Sequence, residues 1–104
     1  VAARMLMTGE MVKAPRALEI GLVTEVVPAD QLMDRVKELA QTIASKGPLA
    51  VGATKRSLNR GFDLTMEAGL DLEAVLFGAM FNTDDMREGT TAFVESRPPN
   101  FVGR

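Results

Sequence analysis

The sequence predicts a mainly α chain with one short strand, on three observations. Apolar residues recur at helical spacing along most of its length. Cap residues and Gly or Pro breaks separate those stretches. A single run, Leu22 to Val27, is β-branched and short enough to be a strand.

Val1 to Met7 reads as a helical turn and a half closed by Thr8-Gly9, with Gly9 in the left-handed position past its end. No Ser, Thr, Asp or Asn caps its start and the chain does not open on Met. Both features predict a piece of a longer polypeptide, the alternative being a processed end that frays. Pro15 suits the first position of a brief helix to Ile20, which Gly21 ends. The strand of Leu22 to Val27 follows and Pro28 stops it, with no second strand to pair with. Asp30 is placed to cap a helix whose stripe is Leu32, Val36, Leu39 and Ile43. Gly47-Pro48 ends that helix and starts another, with Leu49, Ala50, Ala53 and Leu58 expected inward and Gly61 closing it. Thr65 caps a longer helix running towards Asn82, whose stripe of Met66, Leu70, Ala74, Phe77 and Phe81 is wide for a surface helix. Leu70, Phe77 and Phe81 are therefore expected to be buried between helices or subunits. Thr83 caps the last helix, with Asp84 and Asp85 in its first turn and Met86, Gly89, Thr90 and Phe93 as its buried face. Arg97-Pro98-Pro99 cannot continue a helix, so Asn100 to Arg104 is an extended tail.

Composition limits the chemistry. The 104 residues include no His and no Cys, which removes Ser-His and Cys-His nucleophiles, disulfides and an ordinary zinc site. A net charge of −2 offers no basic excess for phosphates, arguing against a nucleic-acid partner. No apolar run is long enough for a membrane span.

Three acidic groupings were candidates for metal binding or acid–base work. Asp84, Asp85 and Glu88 suit helix capping better than a cation, because the first two point to different sides and no loop supplies carbonyls. Asp71 and Glu73 lie about 200° apart on a helix and do not converge. Asp63 and Glu67 straddle a helix start. The basic group Lys55, Arg56 and Arg60 complements a helix C-terminus, or grips a phosphate or an acidic partner. Ser45, Ser57 and Ser96 lack a nucleophile-elbow context, and no Gly-rich phosphate loop occurs. The expectation is no catalytic residue and no metal ligand in the chain, which alone is not a self-contained enzyme.

The order of segments resembles the C-terminal part of the enoyl-CoA hydratase/isomerase (crotonase) superfamily. The resemblance is carried by Leu6-Met7-Thr8-Gly9-Glu10 and by Ala17-Leu18-Glu19-Ile20-Gly21-Leu22-Val23-Thr24-Glu25-Val26-Val27-Pro28. It continues through Pro48-Leu49-Ala50-Val51, Lys55, Leu58-Asn59 and Gly69-Leu70-Asp71-Leu72-Glu73. It closes with Phe77, Phe81-Asn82-Thr83-Asp84-Asp85, Arg87-Glu88-Gly89, Ala92-Phe93-Val94-Glu95 and Arg97-Pro98. Each piece is weak alone; in this order they are specific for the superfamily and poorly specific within it.

The resemblance implies that residues 1–104 are the C-terminal helical, trimerisation segment of a crotonase-type α/β spiral fold. The catalytic spiral, with its oxyanion hole and catalytic glutamates, would lie upstream of Val1. The implied reaction is addition of water to a 2-enoyl-CoA, with carboxyl groups moving protons and backbone N–H groups holding the enolate. Coenzyme A then enters as substrate thioester and no separate cofactor is expected. The implied partners are the acyl-CoA and further copies of the chain, as a trimer or a dimer of trimers, in the cytoplasm or the mitochondrial matrix. Substrate-side positions carried over are Phe77 and Phe81 at the acyl pocket and subunit contacts, and Phe93 near the CoA adenine of a neighbouring subunit. Family members commonly carry Lys where Ser96 stands, for the CoA phosphate; Arg97 either compensates or only packs. Lys13-Ala14-Pro15 also departs from the usual capping Ser or Asp. Isomerases and thioester hydrolases share this tail, and a free-standing helical interaction module without activity is the reading from another class.

Overall fold

A computed structural model describes residues 1–104. Six α-helices run in order: α1 (Ala2–Thr8), α2 (Ala14–Glu19), α3 (Leu32–Ala44), α4 (Pro48–Gly61), α5 (Met66–Met80) and α6 (Asp84–Val94). A 3-10 turn, Ala29–Gln31, leads into α3. The chain divides into two units, Val1–Lys37 and Glu38–Arg104, with α3 running through the division.

In the first unit the helix ends follow local chemistry. Gly9, at φ 67°, donates its amide to the Met5 carbonyl and closes α1 in a left-handed cap. Ion pairing of Arg4 with Glu10 (2.7 Å) spans the same corner. Beyond α2, Gly21 at φ 71° donates to Leu18 (3.1 Å) and Leu22 to Ala17 (2.8 Å), the paired bonds of a Schellman motif. Ala17, beneath these bonds, is the buried residue of α2. Two expectations fail here. Leu22 to Val27 forms no strand and continues as bends and irregular backbone, because no second strand offers a hydrogen-bonding ladder. Asp30 caps nothing; it lies within the 3-10 turn, which runs directly into α3 at Leu32. Arg35 of α3 instead reaches back to the Glu25 carboxylate at 2.8 and 2.9 Å.

In the second unit, Gly47 precedes Pro48 at the first position of α4. Gly61 is the last helical residue and needs no left-handed turn; Phe62, still right-handed, follows it into the short connection to α5. Thr65 caps α5 by accepting the Ala68 amide (3.3 Å), and Thr83 caps α6 by accepting that of Met86 (3.1 Å). The α4–α5 hairpin is the one pair of helices with an extensive shared face. After α6, Glu95 leads to Ser96 at φ 53°, whose amide donates to Phe93 (3.2 Å) while Arg97 donates to Ala92 (3.0 Å). This is a second Schellman motif, with serine where glycine is favoured. Ser96→Gly is expected to stabilise α6 by about 0.5–1 kcal/mol, because glycine accepts positive φ without a steric penalty. The check is urea unfolding of the α6 amide signals in NMR spectra.

Apolar faces outnumber apolar contacts. The accessible surface is 8716 Å², whereas two separate compact bodies of 37 and 67 residues would expose about 6,800 Å² by the scaling of area with mass. No large side chain is fully buried; the buried hydrophobic residues are Ala17 and Ala92. The stripe of α3 and the inward positions expected for Leu49 and Leu58 on α4 are exposed. Leu70, Phe77 and Phe81 are likewise 58 %, 66 % and 52 % exposed, which corrects the expectation of burial between helices of this chain. Helical periodicity shows that an apolar face exists; it does not supply the surface that covers it.

Candidate functional site

The α4–α5 hairpin opens a groove of about 720 Å³. Small residues on its walls, Ala50, Ala53 and Ala74, leave room between the helices, and Leu58, Leu70, Phe77 and Met80 line it with apolar surface. Phe77 of α5 and Phe81, one turn on and just past the helix end, meet edge to face with centroids 5.2 Å apart and planes at 80°. Thr54, Ser57 and Glu73 are the polar lining. Glu73 is the single carboxylate there, so the groove offers an apolar wall rather than a paired acid and base. The chemistry such a surface performs is binding of an apolar group or of another apolar face.

A second region lies at the end of α6. Phe93, expected on the buried face, is 86 % exposed; the inward residues are Asp85, which is 6 % exposed, and Ala92. The face turns because the tail packs along the Asp85–Gly89 side of the helix. Glu88 holds Arg97 through a two-pronged pair, Nη1 to Oε1 at 2.6 Å and Nη2 to Oε2 at 3.0 Å, and accepts the Asn100 amide at 2.8 Å. Arg97 Nε donates to Glu95 (2.6 Å). The guanidinium is therefore committed to carboxylates of its own chain.

These bonds hold the Glu88 carboxyl at about 2, down from 4.5, chiefly through the Arg97 hydrogen bond and then the Asn100 amide. The folded value lies below the unfolded one. The associated stabilisation is therefore complete above pH 4.5 and disappears as pH falls through about 2. A melting temperature that declines across this window, with the decline flattened in Glu88→Gln, is the expected outcome of thermal scans at successive pH values.

Sequence reasoning placed Asp85 among the capping acids and missed its partners. Its carboxylate accepts from the Val102 amide at 2.6 Å and from the Gly103 amide at 3.2 and 3.0 Å. Asp84 takes the outward role, pairing with Arg87 and Arg104. The amides of Asp84 and Asp85 donate to the Arg104 carbonyl oxygen at 2.7 and 3.3 Å. Phe101 lies against two glycines: a Cβ on Gly89 would stand 3.3 Å from its ring, and one on Gly47 would stand 3.7 Å away. The available signal was a glycine one turn after Asp85, followed downstream by Phe101-Val102-Gly103 beyond a Pro-Pro stop. Asp84, Asp85 and Glu88 thus serve separate partners, and no group of three or more potential ligands is gathered for a metal ion. Lys55, Arg56 and Arg60 lie on α4, with Arg60 in its last turn. No helix is long and apolar enough to cross a membrane.

The all-helical chain matches solved structures of one class. A crystal structure of an enoyl-CoA hydratase/isomerase from Mycobacterium paratuberculosis superimposes with a TM-score of 0.94 at 35 % identity, covering 99 % of this chain and 41 % of that one. The sequence profile described as enoyl-CoA hydratase/isomerase matches residues 1–104, and the chain belongs to that family. Crotonyl-CoA hydratase of Syntrophomonas wolfei is 39 % identical over 104 residues, all of this chain and 40 % of the relative. (E)-benzylidenesuccinyl-CoA hydratase of Thauera aromatica is 44 % identical over 103 residues, 99 % of this chain and 40 % of the relative. The chain thus spans about 40 % of the length of these curated relatives.

Proposed function

We propose that these residues form the C-terminal helical part of an acyl-CoA-processing enzyme that adds water to a 2-enoyl-CoA, supplying oligomer contacts and part of the substrate pocket. The observation that carries the reading is the unpartnered apolar face of α5, with Phe77 and Phe81 exposed beside the α4–α5 groove. A family of acyl-CoA hydratases gives that face two natural occupants, an acyl chain and a second subunit. Coenzyme A enters as the thioester of the substrate, and the assembly is a trimer or a dimer of trimers. Phe77 and Phe81 are assigned to the acyl pocket and subunit contacts, and Phe93, with its exposed ring, to the adenine of a neighbouring subunit's CoA. Arg97 contributes on the substrate side by holding the end of α6 on which Phe93 stands, since Glu88 and Glu95 occupy its nitrogen atoms. The proton transfers of hydration are assigned to residues outside these 104, because Glu73 is alone in the groove and Asp85 and Glu88 are engaged by the tail.

Sedimentation of the 104-residue chain tests this directly. Self-association, and no hydration of crotonyl-CoA by the chain alone, are expected. A monodisperse monomer with cooperative unfolding would overturn the proposal in favour of a free-standing module. Phe81→Ala is expected to weaken the assembled state by about 3 kcal/mol, as loss of a buried Phe does. In a monomeric chain, where the ring is 52 % exposed, the loss is expected to stay below about 1 kcal/mol.

A further inference from the structure

The tail and α6 together have the build of a latch. Extensive helix pairing in the second unit is confined to α4 and α5. The polar bonds of α6 run instead to the tail: the Asp85 carboxylate to the Val102 and Gly103 amides, Glu88 to the Asn100 amide, and the first-turn amides to the Arg104 carbonyl. Both meet the chain at the entry of α4. There Gly47 is buried beneath Asp85 and Phe101, and the Gly103 backbone lies so close to Pro48 that an added Cβ would stand 2.9 Å from the ring. Regions with few apolar contacts and their own set of hydrogen bonds open separately from the elements beside them. We propose that α6 and residues 97–104 dock on the entry of α4 as a single conformational unit, latched by Asp85, which opens independently of the α4–α5 hairpin. When open, the unit uncovers Gly47 and the Pro48 ring at the entry of α4.

Amide hydrogen exchange, read by mass spectrometry, compares the intact chain with one ending at Pro99 and with Asp85→Asn. In the shortened chain, exchange within Asp84–Val94 is expected to quicken at least tenfold, while α4 and α5 change less than twofold. Asp85→Asn keeps the side chain's size and is expected to give the same selective pattern, threefold or more. Three results would overturn the latch: unchanged exchange in α6, equal acceleration in α4 and α5, or α6 amides that already lack protection in the intact chain.

Discussion

Asp85→Ala is expected to destabilise the docked α6 by about 2–3 kcal/mol, within the range for hydrogen bonds to a buried charged group. Three features set that size. The carboxylate is 6 % exposed, so water does not replace it. It accepts two amides, Val102 at 2.6 Å and Gly103 at 3.0 Å, which are left without a partner when it is removed. It also stands in the first turn of α6, where a negative charge is favoured by the helix dipole. Asp85→Asn retains one acceptor oxygen and is expected to lose about half as much. Asp84→Ala is the control, since its contacts with Arg87 and Arg104 are exposed ion pairs worth at most about 1 kcal/mol. Urea unfolding followed at the α6 amides by NMR separates the three; a loss below about 0.5 kcal/mol for Asp85→Ala contradicts the assignment.

Gly103→Ala is expected to be nearly as damaging, at about 2–3 kcal/mol, from two sources that a second variant can separate. The backbone holds φ at 78°, where an L side chain is strained, and the new methyl would lie 2.9 Å from Pro48 Cγ in a ring that cannot swing aside. Asn tolerates left-handed backbone better than Ala but carries the same Cβ. If strain dominates, Gly103→Asn recovers much of the loss in the same unfolding measurement. If the Pro48 contact dominates, Asn is as poor as Ala. Full stability in both variants would show that the tail does not rest on α4.

The two acids at the start of α6 show where sequence reading ends. Both satisfy the rule for a helix N-terminus, and Thr83 fixes that start by a bond three residues long. Most signals of this range were legible: Gly9 and Gly21 past helix ends, Pro48 at an opening, Thr65 and Thr83 as caps, with Asp30 the exception. Which acid turns inward was not legible, because the deciding amides come from Val102 and Gly103. The same limit explains Phe93. Its spacing placed it on an apolar stripe, but the covered face of α6 is centred on Asp85 and Ala92, and the Phe93 ring lies off its edge, exposed. For Leu22 to Val27 the β-branched residues were correct as propensity, yet a strand exists only through a neighbour's hydrogen bonds. Phe77, which lines the groove, and Phe81 beside it were identifiable as a pair, since residues four apart share a helix face.

The seat of Phe101 has a consequence for how such a chain tolerates sequence drift. Its ring takes up room that a side chain at Gly89 of α6 would need, since a Cβ there would stand 3.3 Å away, whereas one at Gly47 would meet the ring at an ordinary 3.7 Å. The volume at position 101 and the bareness of position 89 are therefore a single variable. A methyl gained at Gly89 is expected to be accepted more readily together with a smaller residue at 101 than without it, and one at Gly47 to be accepted in either case. Among randomised libraries, survivors would accordingly change positions 89 and 101 in matched sets rather than one at a time.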